Sequence, residues 1–148
     1  MNIVVRQCET GIDFANAEQL FSAKYPNEKW SGFGNLAQLS AQQWQGPKTY
    51  IAESTVGVFL GAAIAQFDSA VSELTYIASV NAGKRCPSIE KELIRTICAS
   101  HRGDVRINLT GYSGEDRQQI VSSFGRGEIR GKWFVLDCRL TFSPKQRD

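Results

Sequence analysis

The chain has 148 residues, and its 17 basic and 15 acidic side chains leave a net charge of +2. This length suits one domain with its own core, and the small net charge argues against bulk electrostatic binding to nucleic acid or an anionic membrane. No apolar run is long enough to span a bilayer, and the N-terminus lacks the basic and apolar segments of a secretory signal. The sequence therefore predicts one cytoplasmic domain over residues 1–148, with a flexible tail over 143–148.

The cysteines and the histidine do not suggest a metal site. His101 is the single histidine and follows a helical pattern, where it is expected to lie near the helix C-terminus in a structural role. Zinc sites use closely spaced cysteine pairs or histidine clusters, and the chain has neither. We therefore expect no metal and reduced, mostly buried thiols at Cys8, Cys86, Cys98 and Cys138.

The first third of the chain predicts one strand and two helices. Residues 2–8 form a short β-prone run, and apolar residues then recur at helical spacing over 13–25. A second helix is expected to contain Leu36, Leu39 and Ala41 and to end before Gly46-Pro47. The segment KWSGFGN between the helices is predicted to be a loop packed by its aromatic side chains, with a flap over a binding groove as the alternative.

The middle of the chain predicts an antiparallel meander followed by a helix. The runs 49–53, 56–67 and 71–80 are β-prone and are separated by short breaks. A helix over 88–100 then follows, because apolar residues recur on one face. That face contains Ile89, Leu93, Ile94 and Ile97.

The last third predicts two more strands around a short helix. The run DVRINLT over 104–110 alternates apolar and polar residues, as a half-buried strand does. Ser113 and Asp116 have the spacing of a capping box, so a helix is expected from there to Phe124. A long final strand over 134–142 completes the pattern, and its apolar alternation at a sheet edge leaves open a homodimer or another protein partner.

These elements give an α+β fold with the order β-α-α-β-β-β-α-β-α-β. A strand, helix, strand connection is normally a right-handed parallel unit, so the fourth and fifth strands should be neighbours. The sheet is then mixed but mostly antiparallel, with helices flanking it. A helix that begins beside the end of such a strand offers an anion site through its free amides and its dipole.

The stretch VNAGKRCPSIEKELI, over residues 80–94, lies at that point and resembles a family signature. In the GNAT (Gcn5-related N-acetyltransferase) superfamily, a valine near the strand end and a proline precede Arg-Gly-x-Gly-Ile-Gly and a Leu-Leu pair. With the element order, the likeness covers almost the whole chain. Val80, Arg85, Ile89 and the pair Leu93-Ile94 match the pattern, whereas Cys86, Ser88 and Glu90 replace the three glycines.

The resemblance implies acetyl-CoA as the acyl donor. In this family the backbone amides of the loop face the pyrophosphate, and the end of the fourth strand pairs with the pantetheine arm. Pro87 lacks an amide, and Glu90 adds a carboxylate near the pyrophosphate position. The expected cofactor-binding residues are Ala78, Ser79, Val80, Arg85, Cys86, Ser88, Ile89 and Glu90.

The resemblance also implies direct attack of an amine on a thioester, assisted by a base and a tyrosine acid. Glu73 in the fourth strand is the expected base, and Tyr112 after the fifth strand is the expected acid. Tyr76 is a substitute for the acid, and packing is the alternative role of both tyrosines. The acceptor would be an amine of a small molecule or a protein.

Two other functions remain as alternatives. The missing glycines favour a non-catalytic GNAT-like module that binds CoA or a protein, with exposed aromatic residues as interface anchors. Nucleic-acid binding has less support, because the basic residues of the loops are expected to form a solvated face. The candidate anchors are Trp30, Phe33, Trp44 and Trp133, and the basic residues are Lys84, Arg85, Arg126, Arg130 and Lys132.

Overall fold

The computed structural model describes residues 2–30, 46–67, 71–79, 87–99, 103–109, 112–125 and 127–137. The predicted helix that contains Leu36, Leu39 and Ala41 lies outside these residues, as does the tail. None of the described helices is long and apolar enough to cross a membrane. The described elements are β1 (Ile3–Gln7), α1 (Gly11–Lys24), β2 (Gly46–Ser54), β3 (Phe59–Phe67), β4 (Val71–Ser79), α2 (Pro87–Ala99), β5 (Asp104–Asn108), α3 (Gly114–Phe124), β6 (Glu128–Arg130) and β7 (Trp133–Asp137).

The described strands form one sheet in the order β1-β2-β3-β4-β5-β7-β6. Every neighbouring pair is antiparallel except β4 and β5, which are parallel. Parallel neighbours need a crossover connection, and α2 supplies it here. The predicted mixed, mostly antiparallel sheet flanked by helices is confirmed, as is the pairing of the fourth and fifth strands.

Helices α1 and α2 cover the two faces of this sheet. Neighbouring residues of a strand point to opposite faces, and β2 shows the consequence. Ile51 packs in a cluster with Phe14 and Phe21 of α1, whereas Ala52 belongs to the cluster that contains Leu93 of α2. The burial of apolar side chains on both faces provides the main driving force for this arrangement.

Strand β4 has a bulge at the point where its pairing with β5 ends. The register with β3 shifts between Ile64 and Ala65, which leaves Thr75 of β4 without a counterpart. The recorded pairing with β5 extends as far as Leu74 and Ile107. A bulge bends its strand, so the last part of β4 continues beyond the parallel ladder. The candidate site lies along this last part of β4.

The C-terminal part of the sheet contains a hairpin that was not predicted. Glu128–Arg130 forms β6 and pairs with β7, and Gly131 adopts φ 63° in the turn between them. The run has a single apolar residue among glycines and charges, so its pattern gave no strand signal. β7 is paired on both sides along Trp133–Val135, so it is not an edge strand there. The predicted continuation of this strand over 138–142 lies outside the described residues, and the homodimer stays a prediction.

Arg6, Asp13 and Glu53 form an ion-pair cluster that connects β1 to the start of α1 and to β2. The Arg6 guanidinium donates to both carboxylate oxygens of Asp13, at 2.8 and 3.1 Å, and to Glu53 Oε1 at 2.8 Å. Asp13 also accepts from the backbone N–H groups of Glu9 and Thr10, and it completes a capping box with the Thr10 side chain. These hydrogen bonds, chiefly the one from Arg6, lower the pKa of Asp13 to about 2.

We expect Asp13→Asn to lower the free energy of unfolding at pH 7 by about 2 kcal/mol, because the Asp13 pKa falls from 3.8 in the unfolded chain to about 2 on folding. This contribution is fully present above roughly pH 4 and is lost as the pH falls through about 2, so the deficit should be roughly halved at pH 3. Urea unfolding at pH 7 and pH 3 measures the deficit.

Glu9→Gln is the matched control, because the Glu9 side chain is 74% exposed and lies 3.6 Å from Arg6. A surface pair of this kind contributes little, so the change in unfolding free energy should stay within about 0.5 kcal/mol. An equal deficit for Asp13→Asn at both pH values would show that the loss does not come from the ionised carboxylate.

Candidate functional site

Three polar side chains from separate elements meet beyond the end of the parallel ladder. Ser79 is the last residue of β4, Glu90 lies in the first turn of α2, and Tyr112 follows β5. Ser79 Oγ donates to Glu90 Oε2 at 3.0 Å, and the Tyr112 hydroxyl donates to Glu90 Oε1. Ser79 and Glu90 are 0% exposed and Tyr112 is 8% exposed. We call this group the Ser79–Glu90–Tyr112 cluster.

The helical period places Glu90 inside the protein. Glu90 shares the inward face of α2 with Leu93 and Ile97, at spacings of three and seven residues, and these side chains are fully buried. A buried carboxylate is costly unless it is hydrogen-bonded, and the two hydroxyls supply bonds to both oxygens. Its position in the first turn also lets it complement the helix dipole.

A third hydroxyl-bearing residue, Tyr25, reaches β4 just before this cluster. Tyr25 caps the C-terminus of α1, and its hydroxyl donates to the carbonyl of Ile77 at 2.9 Å and accepts from the Ile77 N–H at 3.3 Å. In an antiparallel pair the two backbone groups of one residue point to the same side. The Ile77 groups therefore face away from β3, toward the side where β5 pairs with the earlier part of β4.

A surface cleft of about 590 Å³ lies on another side of the first turn of α2. It is bounded by the start of β1, the turn between β2 and β3, and the start of α2. Ser88 is exposed and lines this cleft, so its side chain does not belong to the Ser79–Glu90–Tyr112 cluster. The lining residues are Asn2, Ile3, Thr55, Ser88 and Glu92.

No family model and no curated protein sequence matches this chain. Solved structures do match its fold. An aminoglycoside 6'-acetyltransferase of type Ii is 13% identical with a TM-score of 0.67, and the match covers 91% of this chain and 97% of that chain. An acetyltransferase of the GNAT family from Staphylococcus aureus Mu50 is 14% identical with a TM-score of 0.62, covering 93% and 99%.

A third match is the PaiA N-acetyltransferase from Thermoplasma acidophilum, solved in complex with coenzyme A. It is 13% identical with a TM-score of 0.62, and the match covers 91% of this chain and 97% of that chain. The chain has the GNAT fold. At such identities the likeness establishes the architecture, and the chemistry has to be argued from the residues of this chain.

Within the GNAT fold, the structure brings together two expected cofactor-binding residues and one expected catalytic residue, which form the Ser79–Glu90–Tyr112 cluster. The side chain of Ile89 is 3% exposed and packs in the core, so only its backbone is available to a ligand. Ala78 lies between Ile77 and Ser79 in β4. Val80, Arg85 and Cys86 lie outside the described residues.

The expected base lies elsewhere along β4. Glu73 is in the part of the strand that still pairs with β5, where its register partner is Arg106. It precedes Ser79 by six residues, which is roughly 20 Å of extended strand. The structure therefore does not place Glu73 beside the cluster that contains Tyr112, and both catalytic roles stay predictions. Tyr76, the substitute for the acid, directly follows the bulge residue.

Sequence reasoning missed Tyr25. Trp30 was predicted to pack in a loop, with an exposed interface anchor as its role in the alternative function, and it is 9% exposed and stacks on Phe21 with a centroid distance of 5.3 Å. The Trp30 indole N–H also donates to the Tyr25 carbonyl at 2.8 Å. The prediction of a packed loop is therefore confirmed for Trp30. This packing fixes the backbone of Tyr25, whose hydroxyl binds the Ile77 peptide.

We expect Tyr112→Phe to lower the free energy of unfolding by about 1–3 kcal/mol, because it removes a hydrogen-bond donor from a buried carboxylate. In a Glu90→Leu background the same change should cost much less, since no carboxylate is left without a donor. A double-mutant cycle in urea measures this coupling.

Ser122→Ala is the control, because its hydroxyl is exposed and bonds only to backbone carbonyls of its own helix. It should change the unfolding free energy by less than about 0.5 kcal/mol. A coupling of zero between positions 112 and 90 would mean that the hydroxyl and the carboxylate do not interact in solution.

Proposed function

We propose that the protein transfers an acetyl group from a thioester, with acetyl-CoA as the first candidate donor, to an amine of a small molecule or a protein. The observation that supports this proposal is the departure of β4 from β5 beyond Leu74. Beyond that point the N–H and C=O groups of Ile77 in β4 bond to the Tyr25 hydroxyl. The proteins of similar fold described above are acetyltransferases, and one was solved with coenzyme A.

The described residues suit the pantetheine arm of a CoA-type donor better than its pyrophosphate. A pantetheine arm is an extended chain with two amides, so it can pair with the edge of a strand as a peptide does. The pyrophosphate end fits poorly, because Pro87 at the first position of α2 has no N–H and Glu90 places a buried carboxylate in the first turn.

Side chains of the protein would serve as the general base and the general acid. An attacking amine must be neutral and a leaving thiolate must gain a proton, so a base and an acid are both useful. We assign the base to Glu73, two residues before the bulge. We assign the acid to Tyr112, whose O–H is directed at Glu90 and must turn from it to reach a sulfur atom.

We expect the purified chain to acetylate at least one amine in a panel of primary amines and lysine peptides with acetyl-CoA. Glu73→Gln and Tyr112→Phe should each lower turnover by about 10²–10⁴-fold, the usual contribution of general acid–base catalysis. Thiol release measures the rate, and circular dichroism checks the fold. Glu115→Gln, an exposed change in the first turn of α3, is the control and should leave turnover unchanged.

Unchanged turnover in both variants would remove the two role assignments while leaving the activity in place. The absence of both turnover and donor binding in the unmodified chain would contradict the proposed transferase itself.

The Ser79–Glu90–Tyr112 cluster favours a second function, in which a GNAT-fold module binds CoA or a protein without catalysis. The reason is that the side chains of the cluster occupy the end of β4 themselves. Of the aromatic anchors expected for it, Trp30 is buried and therefore does not serve. Trp133 is half-buried, with Arg106 and Lys132 over its ring at 5.1 and 5.2 Å. Phe33 and Trp44 lie outside the described residues.

Donor binding without turnover against the whole amine panel would favour this second function over the transferase. The binding test is calorimetry with CoA and with acetyl-CoA on the same preparation that is assayed for turnover.

A further inference from the structure

We propose that two copies of this chain pair through β1, whose outer edge matches the same edge of a second copy. In the described sheet β1 is the first strand, and it pairs with β2 along one side only. A strand at a sheet edge presents a row of unpaired N–H and C=O groups, which can bond to a further strand. Such pairing is independent of the proposed transferase.

The backbone groups of β1 face β2 and the outer edge in turn. Cys8, directly after the strand, donates its N–H to the Thr49 carbonyl of β2 at 2.8 Å. In an antiparallel pair this orientation recurs at every second residue, so Arg6 and Val4 also face β2. The groups of the intervening residues therefore lie along the outer edge. These residues are Ile3, Val5 and Gln7.

Two of these three residues have outward groups that remain available. The Gln7 carbonyl already accepts a hydrogen bond from Arg6 Nη1 at 3.2 Å. Within the part of the chain that the structure describes, no group bonds to the outward N–H and C=O of Ile3 or Val5. The open part of the edge is therefore centred on Val4.

A two-fold axis through Val4 brings these open groups together. In this antiparallel register Ile3 lies opposite Val5 of the second copy, and each bonds to the other through both its N–H and its C=O. A register centred on Val5 would instead need Gln7, whose carbonyl is already bonded. The interface is isologous, because the same residues contribute from both copies.

The side chains along this register are complementary. Val4 is 44% exposed and would pack on Val4 of the second copy, as β-branched pairs do across two strands. Arg6 would lie opposite the uncharged Asn2 of the second copy. Its guanidinium is already paired with Asp13 and Glu53. The register therefore places no like charges opposite each other.

The cleft of about 590 Å³ beside the start of β1 leaves room for the second copy. Ile3 and Glu92 border this cleft, and Ile3 packs against the core cluster on the α2 face of the sheet. The register places the exposed Gln7 of the second copy diagonally across from Ile3 on that face, within reach of a long side chain. An amide side chain suits the polar residues that line the cleft.

The two edge strands of the described sheet differ in how they are protected. Charged residues and short length prevent edge-to-edge pairing. At the far edge, β6 has three residues, and its Glu128 and Arg130 form an ion pair at 2.8 Å. By contrast, β1 begins with the uncharged run Ile3–Val5. Since only one edge is open in this way, pairing should stop at a closed dimer.

The test is sedimentation equilibrium of the full chain over a series of concentrations, in which we expect twice the mass of a single chain. Val4→Lys and Val4→Glu should each raise the dimer dissociation constant by about tenfold or more, because each places like charges opposite each other. An equimolar mixture of the two variants should restore the dimer. Val56→Lys is the matched control, because Val56 is 83% exposed in the turn after β2, and its mass should not change.

Hydrogen exchange tests the edge itself. The Ile3 N–H should exchange more slowly in the unmodified chain than in Val4→Lys, by about tenfold or more, because pairing protects it. The Arg6 N–H faces β2 and should be protected equally in both. Circular dichroism checks that each variant is folded.

A single-chain mass at every concentration would overturn the inference. A dimer that persists in both Val4 variants would place the interface elsewhere and would overturn it too. Folded variants that do not recover the dimer on mixing would contradict the register through Val4. The mass and the exchange rates of the unmodified chain decide the matter where a variant does not fold.

Discussion

The end of the parallel ladder between β4 and β5 is the constraint on which the candidate site depends. Backbone groups at a strand edge need partners, and β5 supplies them only as far as Leu74. Beyond the bulge, the chain meets this need with side chains from other elements. Tyr25 binds the Ile77 peptide, and the Ser79–Glu90–Tyr112 cluster occupies the end of the strand. These side chains therefore occupy the part of β4 that follows its recorded pairing with β5.

The buried carboxylate of Glu90 makes the core depend on the site. The removal of a carboxylate from water costs several kcal/mol, and hydrogen bonds to a charged group contribute about 1.5–3 kcal/mol each. Ser79 and Tyr112 supply two such bonds, so the burial of Glu90 beside Leu93 and Ile97 depends on the end of β4 and on the residues that follow β5.

The sequence predicted the sheet well because alternation and helical spacing are local signals. It also contained a signal for Glu90, which falls at positions i, i+3 and i+7 with Leu93 and Ile97, so its burial could have been foreseen. The meeting of Ser79, Glu90 and Tyr112 required the tertiary fold, because three elements contribute to it. The contact of Tyr25 with Ile77 spans 52 residues of sequence, and a tyrosine at a helix end gives no pattern that predicts it.

Tyr25 limits what a ligand could gain at the edge of β4. Its hydroxyl bonds to the Ile77 peptide groups, and Trp30 fixes the Tyr25 backbone through a hydrogen bond to the Tyr25 carbonyl. A ligand that replaced this hydroxyl would therefore gain only the difference between its own bonds and those it displaces.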